Sequence, residues 1–360
     1  METPGILDNK LMKLLKDLDV KDKRVFLRAD LDVPIEPETI HNKLETETAT
    51  RLGNLKSTVD YLIREGAKQI VIAGHIDRPQ GPDPTKSTKH LLGALSNILA
   101  KNITFKGDLY GGVSGQVVLL ENLRFWEGEE KNDLEFAKKL AQFADVYVND
   151  AFGDSHREHA SMVALPSLFP DVEDHDEAYF RRAAGLHLEK EVEVMSNLLN
   201  NPVRPFVSIV GGAKIETKLP VIDNLSKISH NVLVGGELPV EIKKNGQSFA
   251  ENVMVAALTE DNKDISLESA HQFARIISGA KTVVWNGPLG LFEEGFEAGS
   301  KIVADAIIAC GAYSVVGGGD TTQFLEKHDL LSRFSFVSAG GGAMLEFLAG
   351  KKLPGIKALE

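Results

Sequence analysis

The sequence predicts an α/β protein with two doubly wound parallel-sheet domains joined by a long helix and a hinge. Short apolar runs alternate with amphipathic helical patterns, which is typical of parallel βαβ units. A long helical pattern interrupts this alternation near the middle of the chain, and glycines or charged residues follow most of the apolar runs. A length of 360 residues also exceeds that of a typical single core.

Composition and charge restrict the classes of function. The net charge of −12 argues against a nucleic-acid partner, which needs a basic face. The single cysteine, Cys310, ends an apolar helical pattern before Gly311, so we predict a core residue and no internal disulfide. The segment before Leu18 predicts an amphipathic helix rather than a signal peptide, and no apolar run reaches membrane-spanning length. We therefore expect a cytoplasmic protein without a membrane partner.

Arginine and histidine follow the predicted strands of the first half. These strands are Val25–Leu27, Ile70–Ala73, Val117–Leu120 and Val146–Val148, with helices between them such as Leu55–Arg64 and Leu134–Phe143. In open parallel sheets, ligands bind beyond the carboxyl ends of the strands. The basic residues there predict a crevice for a small phosphorylated or carboxylated substrate. The alternatives are solvated surface arginines or structural ion pairs, and a metal site at His156 and His159 is less favoured because no third ligand accompanies them.

The middle of the chain predicts one long helix from Ala183 to Pro202, preceded by a solvated acidic loop at residues 170–177. We place the domain boundary in this helix. The expected organisation is a first domain at 1–184, an interdomain helix at 185–202, a second domain at 203–340, and a segment at 341–360 that returns to the first domain.

Glycine follows each predicted strand of the second half. The strands are Phe206–Val210, Val232–Val234, Thr282–Trp285, Ser314–Val316 and Phe336–Ser338. A single glycine after a strand indicates only a turn. Glycine after every predicted strand suggests a sheet edge without side chains, where a ligand's phosphates can approach the backbone. Two lysines, Lys214 and Lys218, share a face if a helix starts after Gly212, and they suit a polyphosphate; the alternative is a solvent-exposed pair.

The stretch Gly317-Gly-Gly-Asp-Thr321 predicts a phosphate cradle between a strand and a helix N-terminus. A carboxylate beside phosphates requires a divalent cation between them, so Asp320 suggests Mg²⁺. The alternative is a tight turn with Asp320 as the helix cap. Phe324, Leu325 and Leu331 are expected on one side of the helix.

The chain lacks the GxxxxGKS/T, HRD, DFG and GxGxxG motifs. Their absence excludes P-loop enzymes and protein kinases and disfavours dehydrogenases.

Several long motifs together resemble the phosphoglycerate kinase family over nearly the whole length of the chain. They are Arg28-Ala-Asp-Leu-Asp-Val-Pro34, Gly74-His-Ile-Asp-Arg-Pro79, Leu119-Leu-Glu-Asn-Leu-Arg-Phe125, Val148-Asn-Asp-Ala-Phe-Gly153, Gly211-Gly-Ala-Lys214, Trp285-Asn-Gly-Pro288, Gly317-Gly-Gly-Asp-Thr321 and Gly340-Gly-Gly-Ala-Met-Leu-Glu346. The resemblance implies two Rossmann-like domains, a monomer, and reversible transfer between ATP and the carboxylate of 3-phosphoglycerate in glycolysis and gluconeogenesis. It also implies Mg²⁺ bound with ATP or ADP, and closure about the hinge.

The resemblance implies roles for individual residues. The acceptor positions are Asp30, Asp32, Arg51, His75, Arg78, Arg124, His156 and Arg157. The nucleotide positions are Gly212, Ala213, Lys214, Lys218, Asn286, Glu293, Gly318, Gly319, Asp320 and Thr321. By resemblance Glu293 holds the ribose hydroxyls and Asp320 the metal. The catalytic positions are Arg51, Lys214, Gly318 and Gly341, of which the first two neutralise the transferring phosphoryl group.

The chain also departs from the family. Asp32, Asp77 and Asp154 stand where the family has asparagine, glycine and threonine, and should weaken anion binding unless they pair with nearby arginines. Glu237 replaces a glycine, Ala339 replaces a threonine, and residues 237–264 form a shorter stretch than in the family, so we expect relaxed nucleotide selectivity. The working enzyme is the favoured hypothesis. A binding or regulatory protein without transfer activity, and a kinase for another phosphorylated carboxylate, are the alternatives.

Overall fold

The structure is a computed structural model that describes residues 12–35, 51–173 and 178–360. The described residues divide into two compact units. The first unit contains residues up to Glu193 together with Lys352–Glu360, and the second contains Val194–Lys351. The division therefore falls inside one helix, and the C-terminal residues group with the first half of the chain.

The strands and helices are numbered in chain order. The strands are β1 Arg24–Arg28, β2 Gln69–Ala73, β3 Ile103–Lys106, β4 Val117–Leu120, β5 Val146–Asn149, β6 Val172–Glu173, β7 Ala178–Tyr179, β8 Arg182–Ala184, β9 Phe206–Val210, β10 Asn231–Val234, β11 Val253–Val255, β12 Thr282–Asn286, β13 Tyr313–Gly317 and β14 Phe336–Ser338. The α-helices are α1 Leu55–Arg64, α2 Leu92–Leu99, α3 Leu134–Ala141, α4 Ala164–Ser167, α5 Leu186–Asn200, α6 Ile215–Ile228, α7 Leu238–Asn245, α8 Leu267–Ile277, α9 Ala298–Cys310, α10 Gly319–Lys327, α11 Gly342–Leu348 and α12 Pro354–Lys357.

The first unit is built on a six-stranded parallel sheet of order β3-β4-β2-β1-β5-β8. Residues of β2, β4 and β5 are buried throughout, as expected for parallel strands covered on both faces. Side-chain caps fix where helices begin: Asp133 accepts the Phe136 amide at 2.7 Å to start α3. The C-terminal residues are joined to this unit by backbone bonds, including Gly355 N to Ser155 O at 2.8 Å.

The second unit repeats the design with another six-stranded parallel sheet, of order β11-β10-β9-β12-β13-β14. Its core packs around Trp285, which is fully buried on β12, with Phe273 and Phe324 contributed by helices. The predicted fold class, two doubly wound parallel-sheet domains, is confirmed by these sheets.

Several element boundaries differ from the sequence predictions. The long helix begins at Leu186 rather than Ala183, because Arg182–Ala184 pairs with β5 as strand β8. The strands β3 and β11 were not predicted, since each is short and lies at a sheet edge. Helix α3 ends at Ala141, two residues short of the predicted Phe143. Leu331 lies beyond α10 in a separate 3-10 turn, so only Phe324 and Leu325 of the predicted trio belong to the helix.

Helix ends and loops were also predicted from the sequence, and the structure describes some of them. Cys310 ends α9 as predicted but is only half-buried, and Gly311 closes the helix at φ +65°. Most of the predicted N-terminal amphipathic helix lies outside the described residues; the part described forms a 3-10 turn at Leu15–Asp17. Of the acidic loop, residues 174–177 lie outside the described residues, and Val172–Glu173 pairs with Ala178–Tyr179 in a two-stranded antiparallel sheet. No helix in the described ranges is long and apolar enough to cross a membrane.

Candidate active site

The basic strand ends predicted in the first half of the chain lie side by side. Strands β4, β2, β1 and β5 are consecutive neighbours and run parallel, so their carboxyl ends share one edge of the first sheet. We call the predicted acceptor residues that follow these strands the basic edge. They are Asp30, Asp32, His75, Arg78, Arg124, His156 and Arg157.

A buried arginine supports the basic edge. Arg28 ends β1 and is fully buried. Its Nε donates to Ser161 Oγ at 2.8 Å, its Nη2 donates to His75 Nδ1 at 3.0 Å, and Nη2 lies 3.1 Å from Asp154 Oδ2. Ser161 Oγ in turn donates to the fully buried Glu129 at 2.5 Å. Arg28 was predicted as the basic residue after the first strand, but no individual role in the site was assigned to it.

The contact with Arg28 determines the tautomer of His75. A guanidinium can only donate, so His75 Nδ1 accepts, and a neutral ring carries its proton on Nε2. Burial lowers the pKa of His75 well below its usual value, so the ring is neutral at pH 7. His75 Nε2 has no hydrogen-bond partner among the described residues, and neither does Arg124 Nη2. The basic edge therefore holds buried donors that an anion could use.

Asp154 lies among these donors. Its Oδ1 is 3.5 Å from His75 Nε2 and 4.0 Å from Arg157 Nε. Burial opposes its ionisation, but the positive charges of Arg28, Arg157 and Arg124 outweigh this effect and hold the pKa of Asp154 below its usual value. The carboxylate is therefore ionised at neutral pH and compensates the buried charge of Arg28.

The other carboxylates of this region also have partners. Asp30 Oδ2 lies 3.5 Å from Arg51 Nη1, and although Arg51 acts in the opposite direction, burial raises the pKa of Asp30 to about 6. Asp32 accepts the backbone amide of Asp77 at 2.7 Å. Asp77 has φ +55° and forms an ion pair with Lys86 at 2.6 Å, which lowers its pKa. Asp32, Asp77 and Asp154 are thus each paired or hydrogen-bonded within the protein.

The remaining acceptor residues differ in exposure. Arg78 is exposed, the Arg157 side chain is 27% exposed, and His156 is half-buried. The Arg124 side chain is only 1% exposed, and its Nη1 donates to the Asp77 carbonyl at 2.6 Å.

His159, the other histidine of the less favoured metal site, is buried, and its Nδ1 lies 3.8 Å from Glu129 Oε1. Nowhere in the described ranges do three His, Cys, Asp or Glu side chains group to hold a metal.

The glycines of the second unit also lie along one edge. Strands β9, β12, β13 and β14 are consecutive neighbours, and Asn286 is in register with both Val210 and Gly317. We call the glycines that follow these strands the glycine edge. They are Gly211, Gly212, Gly287, Gly317, Gly318, Gly319, Gly340, Gly341 and Gly342.

Gly318 shows why this edge needs glycine. It precedes the first turn of α10 with φ +97°, a conformation that side chains rarely adopt. A Cβ atom at this position would also approach the Asn286 side chain to 3.1 Å. The backbone amides at the start of α10 follow directly, and such amides are a common binding site for phosphate.

Asp320 is exposed in the first turn of α10. It is not the helix cap, because the cap position is Gly318 and no side chain caps the helix. Its carboxylate makes no side-chain hydrogen bond within the described part of the chain, whereas Thr321 Oγ1 accepts the Gly287 amide at 2.7 Å. Mg²⁺ is commonly held by one or two carboxylates together with substrate phosphates, so a single exposed aspartate beside a phosphate cradle fits this ion.

The two lysines have different environments, so they do not form the solvent-exposed pair of the alternative interpretation. Lys214 is exposed and lies just before α6, whereas Lys218 is inside the helix and 7% exposed. Lys218 Nζ donates to Asn286 Oδ1 at 2.5 Å. Burial lowers the pKa of Lys218 to about 8, while the charge of Asp320 acts in the opposite direction. Lys218 is thus a buried cation at the glycine edge, and Lys214 is a solvated one.

The other predicted residues of the second unit either have exposed side chains or are glycines, which offer only backbone atoms. Ala213 and Glu293 are exposed, with Glu293 in a 3-10 turn after β12. Gly341 precedes α11 with φ +44°, and Gly212 has φ +89°. Glu237 is exposed at the start of the eight-residue helix α7, which is followed by the three-residue strand β11. The stretch predicted to be shortened therefore retains one short helix and one short strand.

Comparison with known proteins identifies the family. A family model described as phosphoglycerate kinase matches residues 15–261 and 238–351, and these two matches overlap within the stretch predicted to be shortened. A phosphoglycerate kinase of Solibacter usitatus (strain Ellin6076) is 36% identical over 397 residues, covering 96% of this chain and 98% of the relative.

Two solved structures are also similar to this chain over nearly its whole length. Phosphoglycerate kinase from Coxiella burnetii superposes with a TM-score of 0.79 at 31% identity, covering 97% of this chain and 98% of that one. Phosphoglycerate kinase from Pyrococcus horikoshii OT3 has a TM-score of 0.78 at 29% identity with the same coverage. The chain therefore belongs to the phosphoglycerate kinase family.

Proposed function

We propose that this protein catalyses reversible phosphoryl transfer between ATP and the carboxylate of 3-phosphoglycerate. A carboxylate oxygen attacks the γ-phosphorus, the bond from that phosphorus to the bridging oxygen of ADP breaks, and an acyl phosphate and ADP leave. The acceptor carboxylate is already ionised at pH 7, so no general base is needed. Catalysis then depends on alignment and on positive charge around the transferring group.

The basic edge is proposed to bind the acceptor. The observation that carries this assignment is the pair of buried donors without partners, His75 Nε2 and Arg124 Nη2, beside the partly exposed Arg157. Buried donors without partners cost free energy in the unliganded protein, and an anion that bonds to them removes this cost. Arg51, held near Asp30, is the proposed cation for the transferring phosphoryl group.

The glycine edge is proposed to bind the nucleotide. Gly212, Ala213, Asn286 and the Gly318–Thr321 turn would surround the phosphates, Lys218 and Lys214 would supply positive charge, and Glu293 would contact the ribose. Asp320 would hold Mg²⁺, which neutralises phosphate charge when bound. A cytoplasmic monomer acting in glycolysis remains the expectation from the sequence.

A coupled assay with 3-phosphoglycerate and Mg-ATP tests the proposal. Turnover should be detectable at millimolar substrate concentrations. Folded protein without turnover would defeat the proposal, and binding of 3-phosphoglycerate without turnover would instead favour a binding protein. Turnover with a different phosphorylated carboxylate would favour an altered acceptor.

The variant Lys214→Ala tests the proposed role of this lysine. Turnover should fall by about 10³-fold, as for other cations that stabilise a transferring phosphoryl group. Because Lys214 is exposed, thermal stability should not change. Lys227→Ala is the matched control, since Lys227 is an exposed lysine on α6 paired with Asp223. Equal turnover in the two variants would show that another cation stabilises the phosphoryl group.

A further inference from the structure

One carboxylate of the basic edge is buried among the donors. The Asp154 side chain is 8% exposed, whereas those of Asp32 and Asp77 are 41% and 55% exposed. Arg28 pairs with Asp154 from below the edge at 3.1 Å. Asp154 therefore differs from Asp32 and Asp77, because its charge is held close to the anion-binding groups and is poorly screened by water.

Asp154 faces these donors without satisfying them. Its distances to His75 Nε2 and Arg157 Nε, 3.5 and 4.0 Å, are too long for good hydrogen bonds. Both nitrogens lack hydrogen-bond partners among the described residues. An incoming anion can therefore still bond to them, but it does so beside a fixed negative charge.

Resting on the proposed function, we propose that Asp154 is a specificity-determining residue of the acceptor site, which opposes high negative charge on the acceptor's terminal group. Without a carboxylate here, a dianionic phosphate ester would be favoured over a monoanionic ester by the surrounding arginines. Asp154 cancels this advantage, because each added negative charge on the ligand is also repelled by the carboxylate. A charge several ångströms away in a partly buried site changes affinity by about ten-fold.

The wild-type protein provides the first test. Calorimetric titration at pH 8 compares 3-phosphoglycerate with glycerate 3-sulfate, whose terminal group carries one negative charge fewer. We expect dissociation constants within about three-fold of each other. A preference for the phosphate ester of about ten-fold or more would overturn the inference. Failure of both esters to bind at millimolar concentration would instead contradict the proposed function.

The variants Asp154→Asn and Asp154→Thr provide the second test, since each removes the carboxylate and keeps a polar side chain. Both should bind 3-phosphoglycerate about ten-fold more tightly than wild type and the sulfate ester only about three-fold more tightly, because its terminal group carries half the charge. The KM for 3-phosphoglycerate should fall while the KM for Mg-ATP stays unchanged, which a merely structural role would not produce.

Asp60→Asn is the control, since it removes one negative charge from the exposed face of α1. It should leave both titrations unchanged. Folded Asp154 variants with wild-type acceptor affinity would overturn the inference. If the loss of the Arg28 ion pair prevents both variants from folding, the comparison of the two esters in the wild type decides.

Discussion

The two candidate ligand-binding edges are built from different parts of the chain. The basic edge consists of charged side chains over a buried network centred on Arg28. The glycine edge consists mainly of backbone, with one buried lysine bonded to Asn286. The two edges therefore tolerate substitution differently: the basic edge can accept a new charge that finds a partner, whereas Gly211, Gly287 and Gly318 of the glycine edge leave no room or conformation for a side chain.

The aspartates of the first unit illustrate this tolerance. Asp77 pairs with Lys86 and Asp154 with Arg28, so the charges of these aspartates are compensated inside the unit. By contrast, Gly318 retains a positive φ that a side chain would strain. Substitutions can therefore test whether an unpaired charge disrupts the basic edge and whether a bulky side chain disrupts the glycine edge.

The largest expected effect is on the basic edge. Arg28→Met removes the guanidinium and leaves Asp154 and Glu129 buried without their compensating charge. The free energy of unfolding should fall by about 3–5 kcal/mol, measured by denaturant titration. Arg64→Gln, which removes an exposed arginine paired with Glu65, is the control and should change stability by less than about 1 kcal/mol. Similar losses in the two variants would show that the buried network does not stabilise the first unit.

The next effect concerns the shape of the glycine edge. Gly318→Val introduces a β-branched side chain at φ +97° and beside Asn286. We expect kcat/KM for Mg-ATP to fall by about 10- to 100-fold, since the strain at such a position is of order 1–3 kcal/mol. Binding of 3-phosphoglycerate, measured by calorimetry, should be unchanged.

The control for this substitution is Gly279→Ala. Gly279 lies in the same unit without a positive φ, and its nearest neighbour to an added Cβ is 3.9 Å away. This variant should retain wild-type kinetics. A Gly318→Val enzyme with normal Mg-ATP kinetics would disprove the idea that bare backbone is required there.

The smallest effect is a pH dependence at Lys218. Its pKa of about 8 means that the cation is lost as pH rises through this value, so affinity for Mg-ATP should fall by up to about ten-fold between pH 7 and 9.5. Lys218→Met should bind weakly at every pH and lack this transition. An equal transition in both proteins would assign the titration to another group.

The same shift has the opposite sign for stability. The folded pKa is lowered, so between about 8 and the usual 10.5 the unfolded chain binds the proton more tightly. The contribution of Lys218 to the free energy of unfolding should therefore increase as pH rises through this window. Denaturant titrations of wild type and Lys218→Met at both ends of the window measure it.

The amino-acid sequence was sufficient to predict the fold class and to indicate which strand ends carry charged residues or glycines. The apolar runs at Val117–Leu120, Phe206–Val210 and Phe336–Ser338 are strands with the predicted bounds. Parallel strands bring their carboxyl ends to one edge, so the alternation of strands and helices was sufficient to place the arginines together and the glycines together.

The interactions among these residues could not be predicted from the sequence, because they depend on the folded arrangement. The burial of Arg28, the proton position on His75 and the partner of Asp154 depend on contacts such as Arg28 to Ser161, 133 residues apart. The different environments of Lys214 and Lys218 likewise depend on where α6 begins and what covers it. Local patterns specify which residues reach an edge, but charge pairing and pKa follow from desolvation and from neighbours that only folding brings together.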